Sequence, residues 1–185
     1  MARIETKEVS GAEGPLGEAY QEIAEKRGSV ANVFRAESLN PSVMKSHLDF
    51  YMKIMYGKSG LSRREREMIA VVVSSTNGCT YCTTHHTEAL TVHLKGEADP
   101  EAIRRDFRTA SITAKERIML GYAVKLTRLP DGVTDADVQK LRDAGLTDAD
   151  VLDVTFTAAY FNFVNRLVLG LGVELEGDAE RVYKY

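Results

Sequence analysis

Cysteine is scarce in this chain, with two in 185 residues, too few for the disulfide framework that staples small secreted domains. Long apolar runs are also missing. No stretch approaches the roughly 20 consecutive apolar residues that cross a bilayer, and the opening "MARIETKEVSGAEGP" lacks the apolar core of a secretory signal. No membrane partner is expected, and a cytoplasmic location is. Basic charge is not in excess either: 24 Lys and Arg face 27 Asp and Glu, for a net charge of -3, which excludes the positive footprint of a nucleic-acid binder. Strand signals are nearly absent, because the Val71 to Val73 run is short and sits inside a longer helical pattern. What the chain does have is apolar residues, 44% of the total, enough at this length to bury a core without staples.

The pattern predicts an all-α fold in a single domain over 1–185. Helix starts recur in a form that the chemistry of helix ends explains: a hydroxyl accepts an orphan N–H while an acid three residues on reaches back. They stand at Ser62 with Glu65, Thr113 with Glu116, Thr134 with Asp137, and Thr147 with Asp150, and Asn40 before Pro41 is another. Stops fall at Gly28, Gly57 and Gly60, Asn77-Gly78, Gly96, Leu129-Pro130 and Gly145. The sum is about eight helices with short connections, an irregular first dozen residues and a polar tail after Gly172. Aligning "GLSRREREMIAVVVSSTNGCTYCTTHH" with "GLTDADVLDVTFTAAYFNFVNRLVLGL" sets Leu61 on Leu146, Ser62 on Thr147 and Glu65 on Asp150. Two related helical units follow, about 41–96 and a degenerate one about 113–172, unless two capped amphipathic helices merely share a composition.

Both cysteines lie within one turn, just after the Asn77-Gly78 break. In a reducing compartment such a pair points to catalysis, redox sensing or metal binding rather than to a staple. With a helix beginning near Cys79, the Cα atoms of Cys79 and Cys82 are about 5 Å apart, inside the disulfide window. The helix N-terminus favours a thiolate, most strongly at Cys79. At about 100° per residue His86 falls between the two cysteines one turn on, while His85 lies about 60° outside Cys82. His86 is therefore the candidate base, one turn from Cys82 and titrating near neutrality. His93 shares that face but sits about 10 Å further along the axis, so it is read as structural, and His47 likewise. Glu67, beside the apolar stripe of "REREMIAVVV", can orient His86 in a carboxylate–imidazole–thiol relay, or else pair on the surface with Arg63 or Arg64. Asn162, Asn165 and Arg166, polar within an apolar run, are expected to hydrogen-bond in the core or across subunits.

The series Glu67, Cys79-Thr-Tyr-Cys82, His86 resembles the alkyl hydroperoxidase D and carboxymuconolactone decarboxylase superfamily. The flanking "FYMKIMYGKSGLSRREREMIAVVVSSTNGCTYC" and "YFNFVNRLVLGLGVELE" are similar to its uncharacterised peroxidase-related branch, and the likeness covers nearly the whole chain. The resemblance implies an alkyl hydroperoxidase D-like helical fold and a thiol peroxidase. In it Cys82 attacks the peroxide, Cys79 resolves the sulfenic acid as an intramolecular disulfide, and Glu67 with His86 carries the proton relay. Relatives have a histidine immediately before the second cysteine, where this chain has Tyr81. That departure implies lower peroxidase activity or a different substrate, and it leaves Tyr81 and His85 as auxiliary candidates. The family's reductants include a lipoyl protein and thioredoxin-like thiols, its members form homo-oligomers, and no cofactor or metal is implied. The decarboxylase branch does without the cysteine pair, so lactone chemistry is not expected.

Two other readings use the same residues. Cys79, Cys82, His86 and Glu67 are four ligands in number for zinc, although three positions on one helix converge poorly on one ion. A non-catalytic redox sensor would form the same disulfide without turnover. A third leaves the cysteines as small apolar core residues.

Overall fold

The computed structural model describes residues 2–177 and Tyr183. Of the expected polar tail after Gly172, residues 173–177 and Tyr183 are described, and the rest lies outside the described residues. Within them there are nine α-helices and one 3-10 turn, and no strand: α1 Gly14–Arg27, α2 Asn32–Arg35, α3 Pro41–Tyr56, α4 Arg63–Thr76, α5 Thr80–Leu94, α6 Pro100–Asp106, α7 Ala114–Arg128, the 3-10 turn Pro130–Gly132, α8 Asp135–Asp143 and α9 Asp148–Leu171. The fold is all-α, as the pattern predicts. No helix among the described residues is long and apolar enough to cross a membrane.

Local chemistry explains the boundaries. Reciprocal capping boxes open α4 at Ser62 and Glu65, α7 at Thr113 and Glu116, and α8 at Thr134 and Asp137. Thr147 and Asp150 do the same for α9. The short helix α6 starts from Asp99 and Pro100, with the Asp99 carboxylate accepting the Glu101 N–H at 2.9 Å. No start was read there from the sequence.

The chain forms two compact units, one from the stretch up to Met52 together with that from Leu167 on, the other Lys53–Arg166. In the first, His47 is buried, with its Nδ1 2.7 Å from Glu37 Oε1 and its ring 5.0 Å from that of Phe34. Asn32 donates its side-chain amide to Glu174 O at 3.0 Å, which ties the segment after α9 to the start of α2.

The second unit holds every candidate site residue. Its centre is α4, whose stretch from Met68 to Val73 is buried on all sides and packs against α5, α6 and α7. Arg66 is buried with it, and its guanidinium donates to the carbonyls of Ile54, Gly57 and Leu61, completing the C-terminus of α3. Gly60 is required by close approach: a Cβ there would lie 1.8 Å from Asp150 Oδ1. Gly78 adopts φ +70°, the left-handed turn that redirects the chain from α4 into α5. Asn77 and Asn162, which the alignment of the two segments makes equivalent, hydrogen-bond through their side-chain amides at 3.0 Å.

Candidate active site

The turn after α4 sets the cysteines at the head of α5. Cys79 is the N-cap: its N–H donates to Ser74 O at 2.9 Å, and its carbonyl accepts both the Thr83 N–H at 2.9 Å and the Thr83 hydroxyl at 2.8 Å. Its Sγ accepts the Cys82 backbone N–H at 3.4 Å, a sulfur serving as the capping acceptor. Cys82 follows one turn on. Both cysteines are free and buried, and their sulfurs hydrogen-bond across 2.7 Å.

The two thiols are driven apart in acidity by that contact. Hydrogen bonding from Cys82, aided by the Cys82 N–H and the Asn165 amide, holds Cys79 below the ordinary thiol range against the opposing effect of burial. The same hydrogen bond, with burial behind it, pushes Cys82 well above that range. The first proton to leave the pair therefore leaves Cys79 as the thiolate, consistent with its place at the positive end of α5.

One turn beyond Cys82, His86 directs Nδ1 to Glu67 Oε2 at 2.7 Å, and its ring meets Phe161 edge-on with centroids 4.5 Å apart. Glu67 is fully buried, so the surface pairing with Arg63 or Arg64 that the spacing also allowed is corrected. Arg63 does bind Glu67, but inside the protein, donating Nε and an amino nitrogen to Oε1 at 2.8 and 2.5 Å while stacking 3.8 Å over the Tyr56 ring. Arg64 goes elsewhere, to Glu116 and Glu97. Burial pulls Glu67 upward, yet the His86 and Arg63 charges outweigh it and hold the carboxyl below its ordinary range. With one oxygen given to each partner, Glu67 fixes the His86 ring and leaves Nε2 as its free proton-transfer atom. Among the described residues no hydrogen bond joins His86 to either sulfur.

The remaining sequence candidates lie at the margin. Tyr81 and His85 pack their rings on one another, 4.6 Å apart, on the flank of α5. His93 is held below the ordinary imidazole range by burial and by Arg63, against the pull of Glu67, so it sits at the edge of the cluster's field. No three His, Cys, Asp or Glu side chains among the described residues are grouped to hold a metal ion.

Two contributors were not read as site residues from the sequence. Arg63 looked like solvated helix face, but the end of α3 covers it: the guanidinium stacks on the Tyr56 ring and donates to the Met55 carbonyl at 3.3 Å as well as to Glu67. Asn165 is fully buried on α9, where its amide donates to Ser74 Oγ at 3.1 Å, next to the turn that carries Cys79, and favours the thiolate form of the cysteines. A polar residue inside an apolar run was the one signal that marked it.

The chain matches known proteins in both sequence and fold. The carboxymuconolactone decarboxylase family model matches residues 41–123, a span that includes Glu67, both cysteines and His86. No curated protein matches the chain. Among solved structures, an uncharacterised peroxidase-related protein from Silicibacter sp. TM1040 is 32% identical, over 96% of this chain and 97% of its own, with a TM-score of 0.80. An uncharacterised peroxidase-related protein from Ralstonia eutropha JMP134, described as an alkylhydroperoxidase AhpD core, is 28% identical over 99% of this chain and 98% of its own, with a TM-score of 0.86. A debrominase in its apo form shares the fold, at 18% identity over 93% of this chain and 91% of its own, with a TM-score of 0.78.

Proposed function

The chain belongs to the carboxymuconolactone decarboxylase family, and on that premise we propose that it is a thiol-dependent peroxidase working through a Cys79–Cys82 dithiol and disulfide cycle. The observation that carries this reading is the placement, on one helix, of two free sulfurs 2.7 Å apart and a histidine 2.7 Å from a buried carboxylate.

His86 Nε2 takes the Cys82 proton through a water or the substrate itself, and the Cys82 thiolate attacks the terminal oxygen of a hydroperoxide. The O–O bond breaks, Cys82 becomes a sulfenic acid, and the departing alkoxide leaves as the alcohol with the proton held on His86. Cys79 then gives its proton to His86 and attacks Cys82 Sγ; the S–S bond forms, the S–O bond breaks, and the hydroxide takes that proton and leaves as water. An external dithiol, a lipoyl protein or a thioredoxin-like one, restores both thiols and is itself oxidised. Glu67 stabilises the imidazolium, and Arg63 keeps Glu67 ionised. The reverse order, with Cys79 attacking and Cys82 resolving, is favoured by the place of Cys79 as the N-cap of α5, where its sulfur accepts the Cys82 N–H and the helix dipole stabilises a thiolate.

The setting proposed is cytoplasmic and without nucleic acid, the latter supported by the balance of 24 Lys and Arg against 27 Asp and Glu. A homo-oligomer is supported by Leu152, Phe156 and Phe163, 52%, 46% and 45% exposed, which share one face of α9 at helical spacing.

The test is a thiol count on metal-stripped protein before and after one equivalent of an organic hydroperoxide, with mass spectrometry of the peptide spanning Cys79 and Cys82. Loss of both thiols with a two-dalton decrease, followed by turnover when dihydrolipoamide or a thioredoxin-like dithiol is added, supports the peroxidase. Disulfide formation without turnover makes the protein a redox sensor. Two intact thiols defeat both readings.

A further inference from the structure

Helix α5 carries five threonines in its 15 residues, Thr80, Thr83, Thr84, Thr87 and Thr91, and all five line one cavity. Packing alone does not ask for them. Threonine is among the poorer helix formers, and a helix that only had to pack would carry alanine or leucine on such a face. At about 100° per residue the five share one sector of α5, turned away from Cys79, Cys82 and His86. The cavity holds about 720 Å³, the size of a small-molecule site, between α5, α6 and the end of α4. A serine or threonine hydroxyl within a helix is commonly satisfied by the carbonyl one turn back. Thr76 donates in this way to Val72 O at 2.7 Å, Thr83 to Cys79 O at 2.8 Å and Thr91 to Thr87 O at 2.8 Å. Thr87, 8% exposed, and Ser75 do not: their Oγ1 and Oγ are buried and have no hydrogen-bond partner among the described residues. A buried hydroxyl left unsatisfied is costly, and both of these belong to the wall of the same cavity.

The lining also limits what fits. It has no aromatic ring on which a flat heterocycle or the face of a cyclic sugar could stack, and no large aliphatic side chain to hold a hydrocarbon. Its charged members are Glu88, Glu101 and Arg104; Arg104 donates to Glu101 at 2.7 Å and Glu88 is not free, so no unpaired charge calls for an ion. What is left is a wall of hydroxyls, each able both to donate and to accept. We propose that this cavity is a binding site for an acyclic polyol, which presents the same paired capacity along its length, and that Ser75 and Thr87 are the contacts that select it. Glu67, Cys79, Cys82 and His86 are not in the lining, so this site stands or falls apart from the peroxidase reading.

The experiment is a titration of the full-length protein with sorbitol, followed by saturation-transfer NMR and calorimetry. Melting is not the readout for binding, because polyols stabilise proteins in general by being excluded from their surfaces. Saturable binding with a dissociation constant of about 1 mM is expected, the scale for so small a ligand. Thr87→Val and Ser75→Ala each remove one unpartnered hydroxyl with little change of shape. Each is expected to weaken sorbitol about tenfold, while the melting temperature in plain buffer stays the same or rises, because the folded chain loses no hydrogen bond. A lower melting temperature with unchanged affinity would assign the hydroxyls a structural role and overturn the inference. Wild-type protein that does not bind sorbitol would overturn it too. N-acetylglycine methylamide, an uncharged amide of similar size, is the control: tighter binding of it than of sorbitol would assign the cavity to a peptide instead. Should Ser75→Ala fail to fold, Thr87→Val alone decides.

Discussion

Glu67 and His86 meet at 2.7 Å with the carboxylate fully buried, and the other oxygen of Glu67 is taken by Arg63. A buried carboxylate with one oxygen held by a guanidinium and the other by an imidazole is a rigid orienting group. It fixes the imidazole tautomer one turn above a cysteine, where a general base belongs.

Removing either end of that pair should slow the chemistry without removing the thiols. Glu67→Gln and His86→Gln are each expected to reduce peroxide-dependent turnover about 10²-fold, the scale of a lost general base. Stopped-flow peroxide consumption checks this, and wild-type rates in either variant would exclude the relay.

Arg63→Met should act through stability and its pH dependence. The folded Glu67 carboxyl lies below its ordinary range, so its contribution is fully present above the unfolded value near about 4.3 and is lost as pH falls through the folded value. Without Arg63 the folded pKa rises, and acid unfolding begins at higher pH. A loss of about 3 kcal/mol at neutral pH is expected for a buried pair broken on one side, measured by urea unfolding across a pH series.

The order of attack is separable by paired variants. With Cys82 as attacker, Cys82→Ser abolishes peroxide consumption, while Cys79→Ser still reacts once and accumulates sulfenic acid at Cys82, trapped by a dimedone adduct. Dimedone labelling at Cys79 in Cys82→Ser would establish the opposite order.

Gly78→Ala places a Cβ at φ +70°, a conformation that costs an ordinary residue about 1–2 kcal/mol. Because Cys79 caps α5 immediately after this turn, the variant is expected to lose that much stability and also to slow disulfide formation. Unchanged values for both would mean that the turn relaxes freely.

The exposed face of α9 gives the last test. Phe156→Glu with Phe163→Glu should convert a homo-oligomer to a smaller species on light scattering, with the helical spectrum retained. A wild-type protein that is already monomeric would remove the oligomer from the proposal.

Much of this protein was legible from local chemistry. Ser62, Thr113, Thr134 and Thr147 mark helix starts because a cap and its partner acid lie within four residues of each other, and Asn77-Gly78 marks the break because φ +70° suits glycine. The short α6 was not read, although Asp99 and Pro100 carry its start, because seven residues hold too little apolar periodicity to stand out.

The sequence by itself determined the all-helical architecture and the approach of Cys79, Cys82 and His86, since positions three and four apart on a helix must be neighbours. Tertiary structure alone decided the rest. Spacing cannot tell whether Glu67 faces water with Arg63 or faces His86 with Arg63 behind it, because both keep the same helix and differ only in which neighbour covers it. Asn165 stands 83 positions beyond Cys82, and only the packing of α9 against the end of α4 brings its amide to Ser74 and Asn77, at the turn into α5. Contacts within a turn follow from backbone geometry, and contacts between helices follow from how apolar faces choose one another.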